Sequence, residues 1–96
     1  MFDVIKLSDT TSEGIRRASF RTCDVVCSEQ IDIELKGDII LSIQYTKGCN
    51  GNTQGLSALC VGMNKDEVIK RLSGINCKGR GTSCPDQLAR ALSQLT

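Results

Sequence analysis

The sequence predicts an α+β domain, with a small antiparallel sheet of about three strands followed by three helices packed on one face. Three observations carry this expectation. Apolar and polar residues alternate from Ile31 to Thr46, the period of strands with one buried face. After Cys49 the period lengthens, and Leu56, Leu59, Cys60 and Met63 take the spacing of one helical stripe. Near the end, Pro85 stands in front of a second such stripe, Leu88, Ala91, Leu92 and Leu95.

Taken in order, residues 1–14 alternate weakly through Phe2, Val4, Ile5 and Leu7, then become polar. They read as a tail or a loose strand with a polar loop, ahead of a single domain over 15–96. Residues 15–26 suit a strand, with Phe20 and Thr22 on one face and Arg21 and Cys23 on the other. Cys27-Ser28 turns the chain. In the following hairpin Ile31, Ile33 and Leu35 alternate with Asp32, Glu34 and Lys36, and Ile39, Leu41, Ile43 and Tyr45 form the second apolar set. For both sets to share a face the loop needs an odd number of residues, Lys36 to Asp38. That register puts Leu35 opposite Ile39, Ile33 opposite Leu41 and Ile31 opposite Ile43.

The first helix is expected to be capped by Asn52 or Thr53 and to bury Cys60 as a core residue. Asn64 with Glu67 has the form of a capping box for a short helix whose apolar side chains are Val68, Ile69 and Leu72, and Gly74 ends it. Residues 75–81 make a basic, glycine-rich loop. The last helix starts with Ser83 or Cys84 as its cap and should carry Gln87, Arg90 and Gln94 on its outer side. No internal repeat, low-complexity tract or linker interrupts the chain.

At 96 residues the chain is near the small end of what builds a self-sufficient core, and with only Phe2, Phe20 and Tyr45 as aromatics that core must be aliphatic. A net charge of +1 without long blocks of either sign argues against nucleic acid as a partner. The absence of a leader pattern or of an apolar run long enough to span a bilayer argues against a membrane and for a cytoplasmic protein. Six cysteines are many for that compartment, and they point to metal binding or redox chemistry. Histidine is absent, so a transition-metal site must be built from sulfur, with at most a carboxylate. That donor set favours zinc or an iron-sulfur cluster.

Cys84 is the leading candidate. Pro85 places its sulfur in the first turn of a helix, where unpaired N-H groups and the positive end of the helix dipole favour the thiolate, and Arg80 adds charge. Cys49 sits in a similar setting, the glycine-lined turn Gly48-Cys49-Asn50-Gly51-Asn52 between strand and helix, where Asn50 and Asn52 are placed to hydrogen-bond a sulfur or a ligand. Cys23 reads as a half-buried strand residue. Lys78, Arg80 and Arg71 read as scattered solvated charge, with a small anion patch as the alternative.

These motifs carry a family likeness. Cys27-Ser28 before a strand, Gly48-Cys49-Asn50-Gly51-Asn52 after a hairpin, Gly62-Met63, and Thr82-Ser83-Cys84-Pro85-Asp86-Gln87-Leu88-Ala89 together resemble the TSCPD domain, from about residue 17 to the end. Members of that family occur as small stand-alone proteins and as the C-terminal domain of adenosylcobalamin-dependent ribonucleotide reductases. The resemblance therefore implies an association with deoxynucleotide synthesis, although this chain lacks a catalytic barrel. The order of Cys27, Gly48-Cys49 and Arg80 to Cys84 is also similar to that in U-type iron-sulfur scaffold proteins. Those carry an aspartate beside the first cysteine that is not found after Cys27, a place that Cys77 could fill.

The resulting expectation is a four-sulfur site of Cys27, Cys49, Cys77 and Cys84. As an enzyme the chain would have only Asp24, Asp86 or a metal-bound water for a general base, so autonomous catalysis is not expected. A binding module that holds a metal or presents thiols to a redox partner such as ribonucleotide reductase fits better. A homodimer or adaptor docking through the open side of the sheet, with incidental cysteines, is the remaining reading.

Overall fold

The computed structural model describes residues 4–23, 28–47, 50–75 and 82–95, with 28 and 50–52 described in their backbone. Four antiparallel strands form a meander in the order β1-β2-β3-β4: β1 Ile5–Ser12, β2 Ile15–Arg21, β3 Ser28–Lys36 and β4 Ile39–Lys47. Three helices follow, α1 Asn50–Cys60, α2 Lys65–Leu72 and α3 Cys84–Ser93. The class is α+β with strands first and helices after.

β1 is a full strand. It lies at the sheet edge with most of its side chains exposed, so its sequence shows little alternation. Its pairing comes from the hairpin instead. Glu13 and Gly14 both take positive φ, +54° and +79°, as a two-residue turn between twisted strands requires. The Arg16 guanidinium then grips Asp9 across the strands with two hydrogen bonds of 2.8 and 2.6 Å and holds its carboxyl down at a pKa of about 2. A third bond, 2.7 Å to the Leu95 carbonyl, ties this hairpin to the end of the chain.

The β3–β4 register differs from the one the alternation suggests. Lys36 pairs with Ile39 across a two-residue turn, Leu35 with Ile40, Ile33 with Ile43 and Ile31 with Tyr45. An odd loop is not used to set the parity. A bulge at Leu41 inserts the extra residue, so Ile40 and Ile43 share the core face. Ile40 is fully buried, while Ile39 and Leu41 are 41% and 38% exposed. The bulge is backed from outside the sheet: Ile40 N-H donates to the Met63 carbonyl at 2.9 Å, and Gly62 N-H donates to the Ile40 carbonyl at 2.8 Å. Sequence alternation cannot register this link to the α1–α2 connection.

The core lies between one sheet face and the helices, built from Ala18, Phe20, Ile31, Ile33, Leu35, Ile40 and Ile43 below and Cys60, Val68, Leu88, Ala91 and Leu92 above. α1 packs on β4, α2 on α3, and α3 against β3. Cys60 is buried as expected, but Leu59 in the same sequence stripe is 74% exposed. The helix stops at Cys60, and the chain bends at Gly62 (φ +87°), so only Leu56 and Cys60 of that stripe face the sheet from α1 itself. Asn64 caps α2 by accepting the Asp66 N-H at 2.8 Å, whereas Glu67 turns along the helix to Arg71 instead of closing the box. The buried Lys65 amine joins α2 to the β3–β4 turn through Asp38 at 3.4 Å, and also meets Asp66 of its own helix at 3.1 Å. The outer sheet face is polar, with Arg17 and Ser42 both bonded to Glu34 and Ser19 to Asp32.

If the bulge sets the register, Ile40→Ala will lower the unfolding free energy by about 2–5 kcal/mol, the range for emptying a buried isoleucine site. Ile39→Ala and Leu41→Ala should each change it by under about 1 kcal/mol. Urea denaturation midpoints of the three variants provide the comparison, and a larger loss at Leu41 than at Ile40 would restore the odd-loop register.

Candidate functional site

α3 begins in a buried polar knot. Ser83 is its N-cap: the hydroxyl accepts the Asp86 N-H at 3.1 Å and donates to the Ile75 carbonyl at 2.7 Å. Pro85 follows within the first turn, where its missing N-H costs nothing. Of the two caps the sequence allows, the serine takes the role, which leaves Cys84 as the first helical residue. Cys84 is only 6% exposed.

Asp86 sits in the first turn and is almost fully buried. Its carboxylate accepts from Gly74 N-H at 2.7 Å, Thr82 hydroxyl at 2.5 Å and Arg90 Nε at 2.8 Å. Burial by itself would push its pKa up, but the bonds from Thr82, Arg90 and Gly74 outweigh that and hold it below the ordinary carboxylate value. A carboxylate so fully engaged is a poor general base, which removes Asp86 from that role.

Gln87 was expected on the outer side of α3, and it is completely buried. Its amide nitrogen donates to the Thr82 hydroxyl at 3.1 Å, and its carbonyl oxygen accepts the Cys23 N-H at 3.0 Å. The side chain thus fastens the chain just beyond β2 to the first turn of α3. Tyr45 of β4 adds a bond of 3.3 Å from its hydroxyl to the Cys84 carbonyl. Burial pushes the tyrosine pKa strongly up, and the nearby sulfurs of Cys84 and Cys60 add to this. Burial also raises the Cys60 thiol. Beside Tyr45 an open cleft of about 400 Å³ runs between β4 and α1, lined by Ile43, Lys47, Thr53, Gln54 and Ser57.

Of the expected sulfur ligands, Cys84 lies at the helix mouth, while Cys27, Cys49 and Cys77 lie outside the described residues, as do Arg80 and Asp24. Asn50 and Asn52 belong to the first turn of α1, described in backbone only. The strand expected over 15–26 ends at Arg21, so Cys23, half-buried, lies two residues beyond β2, and Cys60 belongs to the core. Among the described residues no group of three or more cysteine, aspartate or glutamate side chains is placed to hold a metal ion. Thr82, Asp86 and Gln87 are the site residues that periodicity missed. The available signal was four polar side chains within six residues around one proline, more than a solvated cap uses.

Fold and site together define a small α+β domain organised on a cysteine at the mouth of a buried, hydrogen-bond-locked helix. The knot's residues, Thr82-Ser83-Cys84-Pro85-Asp86, are a contiguous pentapeptide. The chain belongs to the TSCPD domain family, whose family model matches residues 6–96 and so takes in β1 as well. No curated protein and no solved structure matches it. No helix among the described residues is long and apolar enough to cross a membrane.

Because the folded pKa of Asp86 is depressed, its contribution is fully present above the ordinary value of 3.8 and is lost as pH falls through the lower folded value. Asp86→Asn should therefore be less stable than wild type at neutral pH by more than about 2 kcal/mol, given three bonds to a charged group. The gap should narrow as the medium is acidified below that ordinary value. Chemical denaturation at a series of pH values measures both curves, and a gap independent of pH would refute the assignment.

Proposed function

We propose that this TSCPD domain is a cysteine-rich binding module in which Cys27, Cys49, Cys77 and Cys84 hold zinc or an iron-sulfur cluster, and that it serves a redox partner such as a ribonucleotide reductase in the cytoplasm. One observation supports this above the others. Described residues adjoining two of the three other cysteine-bearing segments, and one three positions from the third, are hydrogen-bonded to the start of α3, where Cys84 lies. Cys23, which borders 24–27, bonds to Gln87; Tyr45, three residues before 48–49, bonds to Cys84; Ile75 and Thr82, on either side of 76–81, bond to Ser83 and to Asp86.

The donor chemistry fits. Four thiolates without histidine suit zinc in a tetrahedral shell with bonds of about 2.3 Å, or an iron-sulfur cluster. The burial of Cys84 favours a closed centre over a thiol offered to an incoming disulfide, because attack needs an accessible thiolate. Asn50, Asn52 and Arg80 are then the residues that would hydrogen-bond or charge-balance the sulfurs. A module of this kind needs no catalytic base of its own, and a near-neutral charge leaves proteins as its partners rather than nucleic acid or membrane.

Elemental analysis of protein purified without chelator, with an absorption spectrum taken anaerobically, tests the reading directly. Zinc or iron near stoichiometry is expected in the wild type, with loss of most of it in Cys84→Ser and in Cys49→Ser. Metal far below stoichiometry in the wild type, or undiminished in both variants, removes the shared centre.

A further inference from the structure

α1 and α2 meet at an apolar groove of about 170 Å³ lined by Leu56, Leu59, Cys60, Met63 and Leu72, with Arg71 at its edge. Leu59 on its lip is the most exposed large apolar side chain among the described residues, at 74%, and Val61 beyond it is 51% exposed. A single exposed leucine needs no explanation. This one stands beside a groove of its own chemistry, on a helix whose eleven residues include no charge.

α2 supplies the charge, and supplies it in two signs. Asp66 and Glu67 occupy its first turn, Lys70 and Arg71 its last. Glu67 and Arg71 pair along the helix at 2.7 Å with both side chains well exposed; Arg71 lines the groove, and Glu67 stands one turn before it on the same helix. That distribution selects the occupant. A uniformly acidic or uniformly basic partner meets a like charge at one end of α2 whichever way it lies. A second copy of the same helix, laid antiparallel, meets an opposite charge at both ends and opposes the two helix dipoles as well.

We propose that this face is a two-fold contact between two copies of the chain. α2 of each copy lies antiparallel to α2 of the other, Leu59 of each enters the groove of the other, and Glu67 of each meets Arg71 of the other. The groove is large enough: a cavity of about 150 Å³ accepts a benzene-sized molecule, so 170 Å³ takes one leucine side chain. The outer sheet face is poorer ground, because Arg17, Glu34, Ser19, Asp32 and Ser42 already satisfy one another there.

The test is sedimentation equilibrium of the purified protein over a range of concentrations, with three variants. Wild type should self-associate to a dimer. Leu59→Glu should weaken that by about tenfold or more, since it puts a charge into an apolar groove, while its helical circular dichroism and thermal midpoint match the wild type. Glu67→Arg and Arg71→Glu should each self-associate less, and an equimolar mixture of the two should recover the dimer, because each then supplies the charges the other lacks. Loss of a contact within one chain cannot produce that recovery. A wild type that stays monomeric into the millimolar range, a dimer indifferent to Leu59→Glu, or charge variants that remain apart when mixed would overturn the proposal.

Discussion

A buried carboxylate governs this molecule. Asp86 is 3% exposed, and a charge so placed is tolerated only where hydrogen bonds replace its water. Its three donors come from three places in the chain: Gly74 just beyond α2, Thr82 before α3, and Arg90 one turn further along it. Satisfying one charge therefore fixes the exit of α2 against the entry of α3. Gln87 extends the same network to Cys23, and Tyr45 joins it from β4. A fully satisfied polar network in a low-dielectric setting is stiff and specific about geometry, so the residues next to Cys84 are held in place from the sheet and from the exit of α2.

The sheet serves this arrangement through an irregularity. The bulge at Leu41 turns Ile40 inward and leaves its backbone paired to Gly62 and Met63, so the α1–α2 connection is bound to the beginning of β4. α1 then lies along β4 with its first turn near the strand's far end. The four strands make a base whose outer face carries ion pairs and hydrogen bonds of its own around Glu34 and Asp32. The helix layer, in contrast, leaves Leu59 and the groove beside it uncovered. The two sides of the molecule thus differ in what they can bind.

Of the candidate site, the helix mouth that carries Cys84 was legible, because caps and the proline beside them are local chemistry. Pro85 after Ser83-Cys84 marks a helix mouth in any sequence, and Cys84 is found there; Cys60 in an apolar stripe is found in the core, while Cys23 is half-buried as expected but lies beyond the strand instead of in it. Helical periodicity places Gln87 on the surface because it sorts side chains by polarity, and a glutamine has no local reason to be inside. Its reason is Cys23, 64 positions away, whose backbone N-H needs an acceptor. Periodicity fails at Leu59 for the converse reason: its spacing is that of a buried residue, and nothing in the helix itself reveals that the chain bends away at Gly62.

The sequence by itself determined the order of elements, the class of the fold, the start of α3 and the family, since each follows from short-range patterns of polarity, turn residues and caps. Only the tertiary structure decided which isoleucine of β4 enters the core, which polar residues of α3 are buried, and which apolar ones are left outside. Those outcomes depend on hydrogen-bond and packing partners supplied by distant segments, and a one-residue bulge or a single long-range acceptor is enough to reverse what local periodicity implies.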